Sequence, residues 1–270
     1  MATATNTKEI LLAVAGSGVV LVAAVKLIRC IFSEEKKDYP KDVVILFQPP
    51  QHPKTSTLSP FAAKLEMYLR MAKIPYQNEY SLKMSPKHKT PWIMFNGQVI
   101  SDTQFIIEFL NKKFDIDLSK HLTSKEKAVA HAMRKMAEES LYWIFALSLW
   151  VHDYDRSFIL KRILVSKCIL WKIKSAVKRQ TYCQGYGRHT REEVENLCRR
   201  DLQALSDQIG RNLFLMGNQP CETDCAIFAL VAMLRNMPEN SFVTKIMKDN
   251  VYPNLTTYYE KMKKAFWPDY

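Results

Sequence analysis

No CxxC pair, zinc-finger spacing or RNA-recognition motif occurs in the 270 residues, and no internal repeat or low-complexity tract interrupts them. The six cysteines, Cys30, Cys168, Cys183, Cys198, Cys221 and Cys225, lie far apart except for the last pair, spaced C-x3-C. A disulfide framework does not suit so long a chain, so they read as reduced thiols in a cytosol-facing protein. A metal at Cys221 and Cys225 would need two more ligands close by, and the sequence offers none, so no metal site is expected. Glycine is scarce, at 7 residues, while 47% of the chain is hydrophobic and 24% charged, enough to bury one large core or two modest ones.

Acidic residues are missing from one long stretch. Between Arg156 and Arg191 there are ten Lys or Arg and no Asp or Glu, and this segment supplies most of the net charge of +12. A local excess argues against a general nucleic-acid binder and for one basic surface. Within it, Arg156 to Arg179 interleave charge with Ile, Leu, Trp and Phe at helical spacing. That pattern fits a solvated domain helix and equally a face attracted to anionic lipid.

Charge is also absent from residues 10 to 25, "ILLAVAGSGVVLVAAV", and apolar character continues past Lys26 and Arg29 to Phe32. With those two side chains reaching the interface, residues 10–32 approach the ~20 residues a bilayer requires. A cleaved signal peptide and a buried helix are the alternatives. Positive charge follows the run rather than preceding it, which favours a single membrane-anchor helix with the bulk of the chain in the cytosol.

Residues 33–42, "SEEKKDYPKD", read as a linker. Beyond it, "VVILF" is an apolar run of strand length, and residues 60 to 73 place Phe61, Leu65, Leu69 and Ala72 on one helical face. "YQNEY" is a second candidate strand, "WIMFNGQVIS" reads as a hairpin turned by Asn96-Gly97, and "DTQFIIEFLNKKF" returns to helical spacing. From about residue 120 helices take over. Three starts are marked by Thr123-x-x-Glu126, Thr190-x-x-Glu193 and Cys221-x-x-Asp224, and "DCAIFALVAMLRN" is apolar nearly all round, as a buried central helix would be. A sheet-and-helix domain over 43–118 and an all-helical domain over 119–270 are therefore expected.

The segments "LSPFAAKLEMYLRMA", "TPW", "ISDTQFIIEFL", "GYGRHTREE", "DLQALSDQIG", "LMGNQPCETDCAIF" and "YPNLTTYYEKMKKAFWPDY" resemble the failed axon connections family of glutathione transferase-like proteins, including its cadmium-responsive nematode relatives, with metaxins as more distant kin. The resemblance covers about residues 43 to 270. It implies an α/β thioredoxin-like N-terminal domain followed by an all-α C-terminal domain, with glutathione as co-substrate. Two roles follow from it: detoxification by glutathione conjugation, or a non-catalytic adaptor at a membrane, as metaxins are in mitochondrial import and as the axon-development link suggests. The adaptor role would fit the mitochondrial outer membrane, and the family leaves a homodimer or a protein partner open.

By the same resemblance, Ser59 stands where such transferases meet the glutathione sulfur. A helix N-terminus suits a thiolate, yet Ser59-Pro60 is also an ordinary cap and first turn. Thr90-Pro91 falls where the family carries a cis-proline beside the cysteinyl part of glutathione, and Asp102-Thr103 where it grips the γ-glutamyl end. An acid and a hydroxyl at a helix start suit an ammonium and a carboxylate, and equally a cap. Cys221 in a capping box should make a loose cap, because a thiol accepts weakly. Arg188 is expected to be buried and to pin the turn between domains.

Overall fold

The computed structural model describes residues 37–51, 57–248 and 251–269. The expected anchor at 10–32 and most of the linker lie outside the described residues. Among the described residues, no helix is long and apolar enough to cross a membrane.

The strand "VILFQ", β1 (Val44–Gln48), is buried at every position. An all-buried strand must be covered on both edges and both faces. On its edges it pairs in parallel with β2 (Tyr76–Tyr80) and antiparallel with β3 (Trp92–Phe95), and β3 pairs with β4 (Gln98–Ser101), giving the order β2-β1-β3-β4. The parallel pair is bridged by α1 (Pro60–Met71), the β3–β4 hairpin turns at Asn96 and Gly97 with φ of 48° and 81°, and α2 (Thr103–Phe114) follows. The turn needs two left-handed residues, which Asn-Gly supplies.

α1 is buried on nearly every side. The sequence suggests one inward face carrying Phe61; instead α1 lies between the sheet and a second layer, so its other faces are buried and Phe61 is only half-buried, against Tyr142 at 4.8 Å. That second layer begins with α3 (Ser124–Met136), which passes through a π-helical turn (Ala137–Leu141), α4 (Tyr142–Leu147) and a second π turn (Ser148–His152) without a break. α5 (Arg156–Leu160), α6 (Lys167–Gln184), α7 (Arg191–Ile209), α8 (Glu222–Arg235), α9 (Phe242–Lys248) and α10 (Pro253–Phe266) complete it. α8 packs along α1 and is buried from Thr223 to Leu234, the central helix its sequence foretold. Residues 41–270 cluster as one unit.

Thr123 and Thr190 make both halves of their capping boxes. At Cys221 the carboxylate of Asp224 does most of the work: its two oxygens accept the N–H groups of Leu215 and Cys221 at 2.9 and 2.8 Å, which ties the preceding loop to α8 as well as capping it. The weak thiol therefore does not leave a loose end. Arg188 corrects another expectation. It is exposed, and it lies within the helical layer rather than between domains. A Cβ on Gly187 would stand 2.7 Å from the backbone N of Tyr182, so the turn presses directly on the end of α6 and carries Arg188 outward. There its Nε donates to the Tyr182 carbonyl at 3.1 Å and its guanidinium lies 5.2 Å from that ring.

The stretch Trp267 to Asp269 closes on the sheet domain. Arg70 of α1 donates to both carboxylate oxygens of Asp269, at 2.8 and 3.2 Å, and stacks 4.7 Å over Trp267. Beneath it the buried Glu66 accepts from Gln48, Tyr76 and Asn78. Each polar group carried inward on α1 thus has a partner, as burial requires.

Candidate functional site

A cavity of about 650 Å³ opens where the hairpin and the start of α2 face the helical layer. Thr90, Pro91, Asp102 and Thr103 all line it. Two stretches eleven or more residues apart in sequence meet there because β3 and β4 pair Trp92 with Ser101, so the residues just outside the hairpin's open end are neighbours. The Thr90-Pro91 bond is cis. Asp102 has a φ of 77° and accepts from the Gln104 N–H at 3.2 Å, so it caps α2, while Lys89 approaches its other oxygen at 3.5 Å on the exposed rim. The left-handed backbone at a non-glycine residue is an unfavourable geometry of the kind that collects at ligand sites.

The opposite wall comes from Phe61, Tyr142 and Trp143, with Arg134, Lys135, Glu138 and Glu139 between them and the polar rim. Burial pushes the Tyr142 phenol up, so it stays a neutral donor through the physiological range. The π turn at 137–141 inserts one residue into the helical register and brings the paired Glu138 and Glu139 to the cavity.

Ser59 is not among the lining residues of this cavity. It is the N-cap of α1: its hydroxyl accepts from Ala62 N–H at 3.2 Å, and its own N–H donates to the Thr57 hydroxyl at 3.1 Å. The structure therefore brings four of the five sequence-predicted residues together and leaves Ser59 at a helix end.

A polar core that sequence spacing does not assemble lies under the cavity floor. Lys64, 2% exposed, donates to Glu138 at 2.6 Å and to Gln104 at 3.1 Å. Arg134 donates to the second Glu138 oxygen at 2.8 Å, Gln104 passes on to Glu222 at 3.0 Å, and Asn111 joins Glu222 to the Tyr68 hydroxyl. This chain spans α1, α2, α3 and α8 and fixes both cavity walls to each other. Its signal was present as a lysine in an apolar helix, but single-residue spacing cannot name the partner 74 positions away.

The described cysteines are free, and three of them are buried. Burial, with Asp201 nearby, pushes the Cys198 thiol up to about 12, and Cys221 and Cys225 are raised for the same first reason, so none of these three buried cysteines is a thiolate nucleophile at neutral pH.

Residues 60–155 match the glutathione S-transferase N-terminal domain, and residues 198–262 match the glutathione S-transferase C-terminal domain. The Drosophila melanogaster protein failed axon connections is 26% identical over 88% of this chain, which spans 62% of that protein's length. The isoprene-epoxide glutathione S-transferase of a Rhodococcus strain is 26% identical over 77% of this chain and 93% of its own, and a Caenorhabditis elegans metaxin-2 homolog is 28% identical over 61% and 75%. The same fold is found in the glutathione transferase GSTFuA3 from Phanerochaete chrysosporium, with a TM-score of 0.61, 16% identity, and coverage of 83% of this chain and 97% of that one. These matches fall on both layers of the fold, and across them the chain is similar to glutathione S-transferase domains, to failed axon connections and to a metaxin-2 homolog.

Proposed function

We propose that the cavity binds glutathione and that the protein transfers it to a small electrophile. The convergence of Thr90, cis-Pro91, Asp102 and Thr103 on one cavity carries this reading. Asp102 offers a carboxylate to the ammonium of a γ-glutamyl group, and Thr103 at the first turn of α2 offers a hydroxyl and a helix N-terminus to its carboxylate. Phe61, Tyr142 and Trp143 form an apolar wall for the electrophile. Ser59 accepts from Ala62 and keeps its own O–H for a thiolate, which the start of α1 also favours. The Rhodococcus relative, named for conjugating an epoxide, supports the reaction class. The uncharged run at 10–25, with Lys26 and Arg29 after it, supports a membrane tether that leaves the folded body in the cytosol.

A second reading is favoured by Ser59's place outside the cavity wall: a binding protein of the same fold, working as a non-catalytic adaptor. Thermal unfolding with millimolar glutathione, read beside a conjugation assay, separates the two. Glutathione at a hundredfold excess over its Kd stabilises by about 2.7 kcal/mol, a shift of several degrees. Substituting Asp102→Ala together with Thr103→Ala should remove that shift. A shift without turnover establishes the adaptor, and no shift at all defeats the glutathione site in either role.

A further inference from the structure

The outer face of α6 is built from residues that a folded domain ordinarily keeps elsewhere. α6 turns Leu170 and Thr181 into the core. An outward stripe beside them, at spacings of three and four, is Cys168, Trp171, Ser175, Lys178 and Tyr182, all exposed. Trp171 is 68% exposed, Tyr182 58%, and Leu164, in the approach to the helix, 52%. Lys167, Lys172 and Arg179 flank the stripe and are exposed as well. None of the ion pairs of the described residues uses Lys167, Lys172, Lys178 or Arg179.

We infer that this face docks on an anionic phospholipid bilayer. A large aromatic and an aliphatic side chain in the middle of a cationic face match an interfacial lipid contact, in which Trp sits at headgroup level and Lys and Arg meet the phosphates. Charge complementarity excludes the simplest alternative occupant. A second copy meeting the first through this face would oppose cations to cations, with no acid anywhere between Arg156 and Arg191 to relieve them. At the N-terminal end of the face a shallow depression of about 510 Å³ is lined by Arg156, Ser157, Leu160 and Lys167, the mixture a phosphate headgroup and its first methylenes require. Asp155 borders it too, and its Oδ1 accepts from the N–H groups of Ser157 and Phe158 at 2.9 and 3.0 Å as the cap of α5.

The test is sedimentation of the full chain with vesicles of phosphatidylcholine alone and of phosphatidylcholine carrying about one-third phosphatidylserine. The quantity read is the extra partitioning due to phosphatidylserine, because residues 10 to 25 give the full chain an apolar segment of its own. Lys172→Ala with Lys178→Ala should cut that increment about 30-fold, and Trp171→Ala on the order of tenfold. Lys261→Ala with Lys264→Ala, which removes the same charge from exposed positions of α10, should leave it nearly intact. An increment that is absent, that survives the α6 substitutions, or that falls equally with the α10 pair overturns the proposal. So does a duplex DNA probe that binds the same face while vesicles do not.

Discussion

Lys64 and Lys178 are lysines on helices of one fold, and they do opposite things. Lys64 is 2% exposed and holds Glu138 and Gln104 under the cavity floor. Lys178 stands in solvent with no acid in its own stretch of chain. Around α1 and α3 each buried cation has an acid within reach, Lys64 and Arg134 sharing Glu138, and the cost of burying them is offset only while that partner stays. Along α6 nothing offsets the cations because nothing is buried. Charge in the first region belongs to the fold, and charge in the second is available to something outside it.

The largest effect should come from removing the shared acid. Glu138→Ala leaves Lys64 and Arg134 buried and facing each other, so unfolding by denaturant should show a loss of about 3–5 kcal/mol. The cavity loses its floor at the same time, so any glutathione-induced shift should shrink with it. A loss below about 1 kcal/mol would mean that water already shares this site, and the contrast with α6 would fail.

How much of this was legible beforehand depends on the range of each interaction. The four strands, the capping boxes of α3 and α7 and the all-buried α8 follow from spacing and composition within a dozen residues, and the sequence carries them openly. Thr90, Pro91, Asp102 and Thr103 came from family resemblance, and their convergence follows from a hairpin that was itself readable. What stayed hidden was long-range. Nothing local tells Lys64 that its partner is Glu138, or tells Arg70 that Asp269, 199 positions on, will close over it. Arg188 was misjudged because an invisible fact, the backbone contact at Gly187, decides which way the turn faces.

Arg70 and Asp269 test an intermediate case, a pair in the matched region but at the surface, with Asp269 67% exposed. The hydrogen bonds from Arg70 hold the Asp269 carboxyl below its usual range. A carboxyl whose pKa is lower folded than unfolded contributes stability above its unfolded value, near 3.9, and loses it as pH falls through the folded one. Melting curves should therefore show a small acid-side loss below about pH 4 that Asp269→Asn removes, and at neutral pH that substitution should cost about 1 kcal/mol or less, since solvent screens the pair. A cost as large as that of Glu138→Ala would show that the clasp over Trp267, rather than burial, holds the domains together.

The smallest effect is expected where the charge is densest. Lys172→Ala with Lys178→Ala changes two exposed groups that hold nothing in place, and Ala is at least as good a helix former as Lys, so stability should stay within about 0.5 kcal/mol. Lys174 and Lys178 lie four positions apart on α6, where like charges repel. The double substitution should therefore raise the melting temperature slightly at low salt, and the gain should fade as the Debye length shrinks from about 30 Å at 0.01 M to about 10 Å at 0.1 M. Vesicle binding lost while stability holds or rises separates a surface kept for a partner from one kept for the fold. If instead the variant melts several degrees lower, the lysines support α6 itself and the two regions differ only in exposure.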